Sequence, residues 1–158
     1  MSEIILILGL IVMFAMVTNG IIIYKQRNLV TVDDMGIEIE KKCPNLRIEL
    51  LNEGEIQMSE LTGTIIFVEE DCVTCQMLVR DIDSSGRKDE NMVTVLVGGK
   101  EYATNFVKKY LSWKKVGFLE RENIESNLNI TAFPYFMVLE DGIVKEKGIA
   151  VTEKLLRD

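Results

Sequence analysis

From Ile4 to Tyr24 the chain carries no charged residue. A helix of that length spans about 30 Å, the depth of a bilayer's hydrocarbon core. A cleaved signal peptide would open on basic residues and close on a small-x-small site. Here the start is Met1-Ser2-Glu3, and Thr18-Asn19-Gly20 runs on into more isoleucine. A core helix with this sequence would have to be apolar on every face, which a small domain rarely offers. The pattern therefore predicts a retained transmembrane anchor over residues 1–24.

Lys25 to Lys42 is charged and without strong periodicity, as a tether would be. Beyond it, Leu46-Arg47-Ile48-Glu49-Leu50 alternates like a half-buried strand, Asn52-Glu53-Gly54 supplies turn residues, and Ile56-Gln57-Met58 can return as a partner. Ser59–Gly63 reads as a turn. Thr64–Val68 and Met92–Val97 are continuous apolar runs, the signature of strands buried on both faces. Between them, Cys72, Cys75, Met77, Leu78 and Ile82 share a helical face that stops near Ser84-Ser85-Gly86. Tyr102, Phe106, Val107 and Tyr110 mark a second helix. Trp113–Leu119 fits no single period, and Glu122–Leu128 can form a short helix. Phe133-Pro134 leads into an apolar strand to Leu139, then Asp141-Gly142 and a second strand over Ile143–Gly148, a hairpin signal. Thr152 can cap a last helix. The order is a β-hairpin, βαβα, then ββα, which predicts an α/β domain with a mixed sheet.

Composition narrows the chemistry. The net charge of −7 argues against a nucleic-acid surface, and the pairs Lys108-Lys109 and Lys114-Lys115 fit a solvated helix face. There is no histidine, which removes Ser-His and Cys-His catalysis and most mixed zinc sites. Three cysteines do not make a disulfide framework. Cys72-Val73-Thr74-Cys75, at the end of an apolar strand and the start of a helix, places the first thiol at the positive helix end and the second one turn on, within bonding reach. A zinc site would have to recruit the distant Cys43 and a carboxylate such as Asp71. A purely structural disulfide would be a tight, reactive ring. A dithiol redox site fits better, and it needs neither metal nor cofactor.

Pro134 is one of two prolines and opens an apolar strand. A proline blocks a ladder hydrogen bond, so it belongs at a strand's first residue or in a special turn. With a CxxC upstream and a hairpin directly after, the favoured reading is a cis Phe133–Pro134 peptide packed against the disulfide. The neighbouring backbone is then free to pair with a client peptide.

On these residues the chain resembles thioredoxin-fold proteins of the membrane-anchored, TlpA/ResA-like group, and within it the methylamine dehydrogenase accessory (maturation) proteins. The matching pieces are the anchor and tether, Cys43-Pro44-Asn45-Leu46, Glu60-Leu61-Thr62-Gly63, the CxxC, Pro134–Leu139 and Asp141-Gly142. The resemblance implies a thioredoxin-like fold over residues 43–158, carrying an N-terminal β-hairpin extension and preceded by one transmembrane helix. It implies Cys72 as attacking thiol, Cys75 as resolving thiol and Pro134 as cis-proline. It further implies client proteins with disulfides or thiols, an electron-donor protein in the membrane, and work outside the cytoplasm. The chain departs from that group in having Asp71 before the first cysteine, Val73-Thr74 inside the motif, Gln76 after it, and an extra thiol at Cys43. Cys43 reads either as a small core residue or as a regulatory partner.

Glu69, Glu70 and Asp71 precede Cys72, and no basic residue lies within four positions of it. Like charge opposes a thiolate and so disfavours the reduced form, which points to a reductase or maturation factor and away from a strong oxidase. Lys25 and Arg27 after the apolar run would place the domain in the cytoplasm by the positive-inside rule. The resemblance, and the usefulness of a tethered oxidoreductase where disulfides persist, favour the extracytoplasmic face of a single-pass protein. The alternative from another class is a non-catalytic thioredoxin-fold assembly module at the membrane. A peroxidase is disfavoured, because no Thr/Ser/Pro surroundings precede Cys72 and no arginine lies close in sequence.

Overall fold

The computed structural model describes residues 13–14, 16–19, 34–52, 54–85, 91–110 and 115–155. It comprises two units, Met1–Asp34 and Met35–Asp158. In the first, residues 13–14 and 16–19 are helical, and the Thr18 hydroxyl donates to the Phe14 carbonyl at 2.9 Å. Most of the expected anchor, and residues 25–33 of the expected tether, lie outside the described residues. Among the described residues no helix is long and apolar enough to cross a membrane.

In the second unit, seven strands among the described residues form one mixed sheet in the order β2-β1-β5-β4-β3-β6-β7. They are β1 (Arg47–Leu50), β2 (Glu55–Gln57), β3 (Gly63–Val68), β4 (Met92–Val97), β5 (Val116–Leu119), β6 (Tyr135–Glu140) and β7 (Ile143–Ile149). β3, β4 and β5 run parallel, and the other neighbours pair antiparallel. The parallel strands need crossovers, which helices α1 (Val73–Ser84) and α2 (Lys100–Tyr110) supply. Helix α3 (Arg121–Leu128) leads from β5 towards β6, and α4 (Thr152–Leu155) closes the described chain. The Thr152 hydroxyl, expected to cap that last helix, donates to Asp81 of α1 at 3.0 Å.

The continuous apolar runs are explained by burial on both sheet faces. Ile65, Phe67, Val93 and Val95 join Ile124 and Leu128 of α3 in one core cluster, together with Tyr135 and Met137. Ile66, Val68 and Leu96 join Cys75, Leu78, Val79 and Ile82 of α1, and Ala103 and Phe106 of α2, in the other. Each fully buried aliphatic or aromatic side chain contributes about 1.5–3 kcal/mol, so α1 is held chiefly by its apolar stripe. The hairpin turn expected at Asp141-Gly142 is present, with both residues at positive φ.

Two features differ from the sequence pattern. The segment that fits no period contains strand β5, which joins the β1–β2 hairpin to the rest of the sheet. Its glycine is what obscures it. A Cβ at Gly117 would run into the Ile48 side chain and lie 2.8 Å from the Glu49 carbonyl oxygen, so the close approach of β1 requires glycine. The second difference is at the tether, whose last residues are built into the domain. Met35 is buried, its carbonyl accepts the Tyr135 hydroxyl and the Lys147 ammonium, each at 2.8 Å, and its sulfur accepts from the Thr131 hydroxyl at 3.4 Å. Gly36 N–H donates to the Asn129 carbonyl, and the Glu40 N–H to that of Val144. Residues 35–42 thus form a strap along β7 and the loop before β6. Their mixed charge hid a single buried methionine and a set of backbone bonds that no side-chain pattern reports.

Candidate dithiol site

The C-terminal end of β3 turns through Glu69-Glu70-Asp71 into helix α1, and Cys72 is that helix's N-cap, with extended backbone (φ −90°, ψ 104°). Its sulfur accepts the Cys75 N–H at 3.1 Å, and its carbonyl accepts the Gln76 N–H at 3.1 Å. One of the helix's orphan donors is therefore satisfied by the sulfur itself. Cys72 and Cys75 form a disulfide with a Cα–Cα separation of 5.2 Å. Cys72 is half-buried, whereas Cys75 is fully enclosed among Leu78, Val79 and Ile66. Access therefore distinguishes the two residues: Cys72 is partly exposed and Cys75 is not. Val73 and Met77, one helical turn apart beside Cys72, are 68% and 59% exposed.

The Phe133–Pro134 peptide is cis, as expected. It brings the Phe133 carbonyl oxygen to 3.6 Å from the Cys72 sulfur across the gap between α1 and the β6 loop. Pro134 is buried and its carbonyl accepts the Ala150 N–H at 2.9 Å, while the Phe133 ring is half-buried between the two core clusters. All four expected site residues, Cys72, Cys75, Phe133 and Pro134, thus meet at one edge of the sheet.

Cys43 does not join them. It lies buried in the cluster on the opposite face of the sheet, with its N–H donating to the Gly142 carbonyl at 2.8 Å. Burial pushes its thiol up to about 11, because desolvation penalises the thiolate. Of the two roles open to Cys43, the structure displays the core residue.

Three further residues support the site. Tyr102 of α2 accepts the Glu70 N–H on its hydroxyl at 3.0 Å, and Gln76 donates from Nε2 to the Glu70 carbonyl at 2.5 Å. The turn before Cys72 is thereby clamped from both sides. Burial raises the Tyr102 phenol above its ordinary range, partly offset by the Glu70 hydrogen bond, with the carboxylates of Glu70, Asp71 and Glu69 adding to the rise. The third is Arg121, the first residue of α3. Its guanidinium pairs with Glu69 and, at 3.2 Å, with Glu125, and lies 5.4 Å from the centre of the Phe133 ring. The linear neighbourhood of Cys72 is acidic, but the fold brings a cation to it from 52 positions away. Gln76 is the one of the three with a sequence signal, since it stands where the resembling group often carries lysine.

A thioredoxin-like α/β fold that sets a CxxC-spaced disulfide at a helix N-terminus, opposite a cis-proline loop, is the class this geometry defines. Comparison with solved structures agrees on the fold. The thioredoxin domain of a thiol-disulfide oxidoreductase from Bacteroides vulgatus aligns with TM-score 0.58 at 13% identity, covering 75% of this chain and 96% of that one. DsbF from MTB, solved in mixed oxidised and reduced forms, aligns with TM-score 0.54 at 19% identity over 72% of this chain and 93% of its own. A secreted Mycobacterium tuberculosis disulfide oxidoreductase homologous to E. coli DsbE gives TM-score 0.54 at 13% identity, covering 70% and 91%. No family model matches the chain, and no curated protein matches it in sequence. Identities this low establish the fold and leave the reaction to the site.

Proposed function

We propose that this protein is a membrane-anchored thiol-disulfide oxidoreductase acting on protein disulfides, in the direction of reduction or maturation. The observation that carries the reading is the asymmetric pair: a reachable Cys72 sulfur capping α1 and facing the Phe133 carbonyl, with Cys75 enclosed behind it. In the reduced protein, the Cys72 thiolate attacks one sulfur of a client disulfide. The client's S–S bond breaks, a Cys72–client disulfide forms, and the departing client sulfur takes a proton. Cys75, deprotonated in turn, attacks Cys72 and releases the second client thiol. The client gains two electrons and the Cys72–Cys75 pair loses them, to be restored by a donor protein in the membrane.

The helix dipole favours the Cys72 thiolate, while the carboxylates of Glu70 and Asp71 oppose it. That balance supports a reducing couple, as does the likeness to maturation proteins of the TlpA/ResA-like group. The uncharged run Ile4–Tyr24 supports the anchor, and so do the helical residues Met13, Phe14, Met16 and Val17, which expose their apolar side chains. The secreted mycobacterial relative in fold supports an extracytoplasmic domain.

Cys75→Ser tests the reading. The variant should accumulate a client covalently joined to Cys72, released by reductant and absent from Cys72→Ser, and the identity of the client reports the compartment. Recovery of no mixed disulfide, together with full function in Cys72→Ser, would leave a non-catalytic assembly module instead. A reduction potential near that of strong oxidants, about −120 mV, would reverse the direction.

A further inference from the structure

The proposed exchange involves the two sulfurs, the helix terminus and the cis-proline loop, and Arg121 belongs to none of these. Arg121 belongs to neither β3 nor α1, yet two of its contacts converge on the site. It pairs with Glu69, the first residue of the approach to Cys72. Its guanidinium lies on the Phe133 ring, and the carbonyl of that same residue is 3.6 Å from the Cys72 sulfur. Its remaining edge is held by Glu125, one turn along α3. The side chains of Arg121 and Glu69 are 45% and 29% exposed, so their pairing is partly shielded from solvent. A planar guanidinium can pair in two directions and lie on a ring at once, which a lysine ammonium cannot.

Building on the dithiol reading, we infer that Arg121 is a positioning residue for the redox pair: it ties down the Glu69 carboxylate and braces Phe133, so that Cys72 is not left facing an unpaired negative charge and a loose carbonyl. The consequence is directional. An acidic approach alone would suppress the Cys72 thiolate, and the arginine removes one carboxylate from that opposition. The linear sequence therefore overstates how reducing the couple is.

The test follows the pH dependence of Cys72 alkylation in the reduced, full-length chain, read on the Cys72 peptide by mass spectrometry. Arg121→Gln should move the midpoint to higher pH and slow Cys72 at neutral pH by about threefold to tenfold. Glu69→Gln should move it to lower pH, because the arginine then stands without its partner. The double variant should return close to wild type. Arg121→Lys should recover part of the midpoint, since it keeps the charge without the planar contacts. Should Arg121→Gln superimpose on wild type, or Glu69→Gln shift the midpoint upward, the inference is overturned. A double variant no different from Arg121→Gln alone overturns it as well. A general loss of structure in Arg121→Gln cannot imitate the expected set, because Glu69→Gln leaves α3 untouched and carries the opposite sign. Failure of the dithiol reading shows separately, as a missing Cys72–client disulfide in Cys75→Ser, and does not alter the order of the midpoints.

Discussion

Cys72 and Cys43 are the same side chain on opposite faces of one sheet. The first caps a helix at the end of β3, half-exposed, with the Phe133 carbonyl 3.6 Å from its sulfur and the Arg121–Glu69 pair on the turn before it. The second sits 4% exposed in the cluster that holds Met58, Val144 and Leu139, and among the described residues burial is the one influence on its thiol. The contrast teaches that reactivity belongs to the setting. A dipole, access and polar neighbours suit one sulfur to the proposed exchange, while desolvation holds the other as a neutral thiol.

The two thiols should differ most in their rates of reaction. In the reduced full-length chain at pH 8, a small neutral alkylating agent should modify Cys72 on the order of a hundredfold faster than Cys43, as quantified by peptide mass spectrometry. Comparable rates would mean that Cys43 is not enclosed as described.

A smaller effect concerns alkaline stability. The folded-state value of Cys43, about 11, lies above its ordinary 9.0, so the unfolded chain releases this proton first. Between those two pH values the unfolded state binds fewer protons than the folded one, and stability falls as pH rises. Full stabilisation by this group is present below pH 9, and the loss levels off above 11. Relative to Cys43→Ala, the wild type should lose about 2 kcal/mol across that window in denaturant titrations. Parallel pH profiles for the two proteins would remove Cys43 from the account.

The smallest effect sharpens the division of labour. At neutral pH, Cys43→Ala should cost about 1 kcal/mol, lowering the urea midpoint, while the rate of exchange at Cys72 stays within experimental error. A change in that rate would restore the regulatory role for Cys43.

What the sequence made legible follows from the range of the interactions concerned. The CxxC announces itself because its partners are three residues apart, and the cis-proline because a proline entering a buried strand has few places to go. The two-sided core was visible in the unbroken apolar runs at Thr64–Val68 and Met92–Val97. β5 was not, because Gly117 answers to a steric demand from Ile48 and Glu49 on another strand. The strap was not, because Met35 meets Tyr135 across 100 positions of chain. Arg121 belongs with these. The acidic run before Cys72 is plain in the sequence, but its counter-charge arrives from the start of α3.

The Cys72 sulfur, the proposed attacking atom, is also the acceptor for the Cys75 amide. As the pair passes from disulfide to thiolate to mixed disulfide, the electron density offered to that one N–H changes, while the Gln76 N–H, next along α1, keeps its bond to the Cys72 carbonyl. The Cys75 amide resonance is therefore an internal gauge of the redox state of the pair, with no reporter group added to the site.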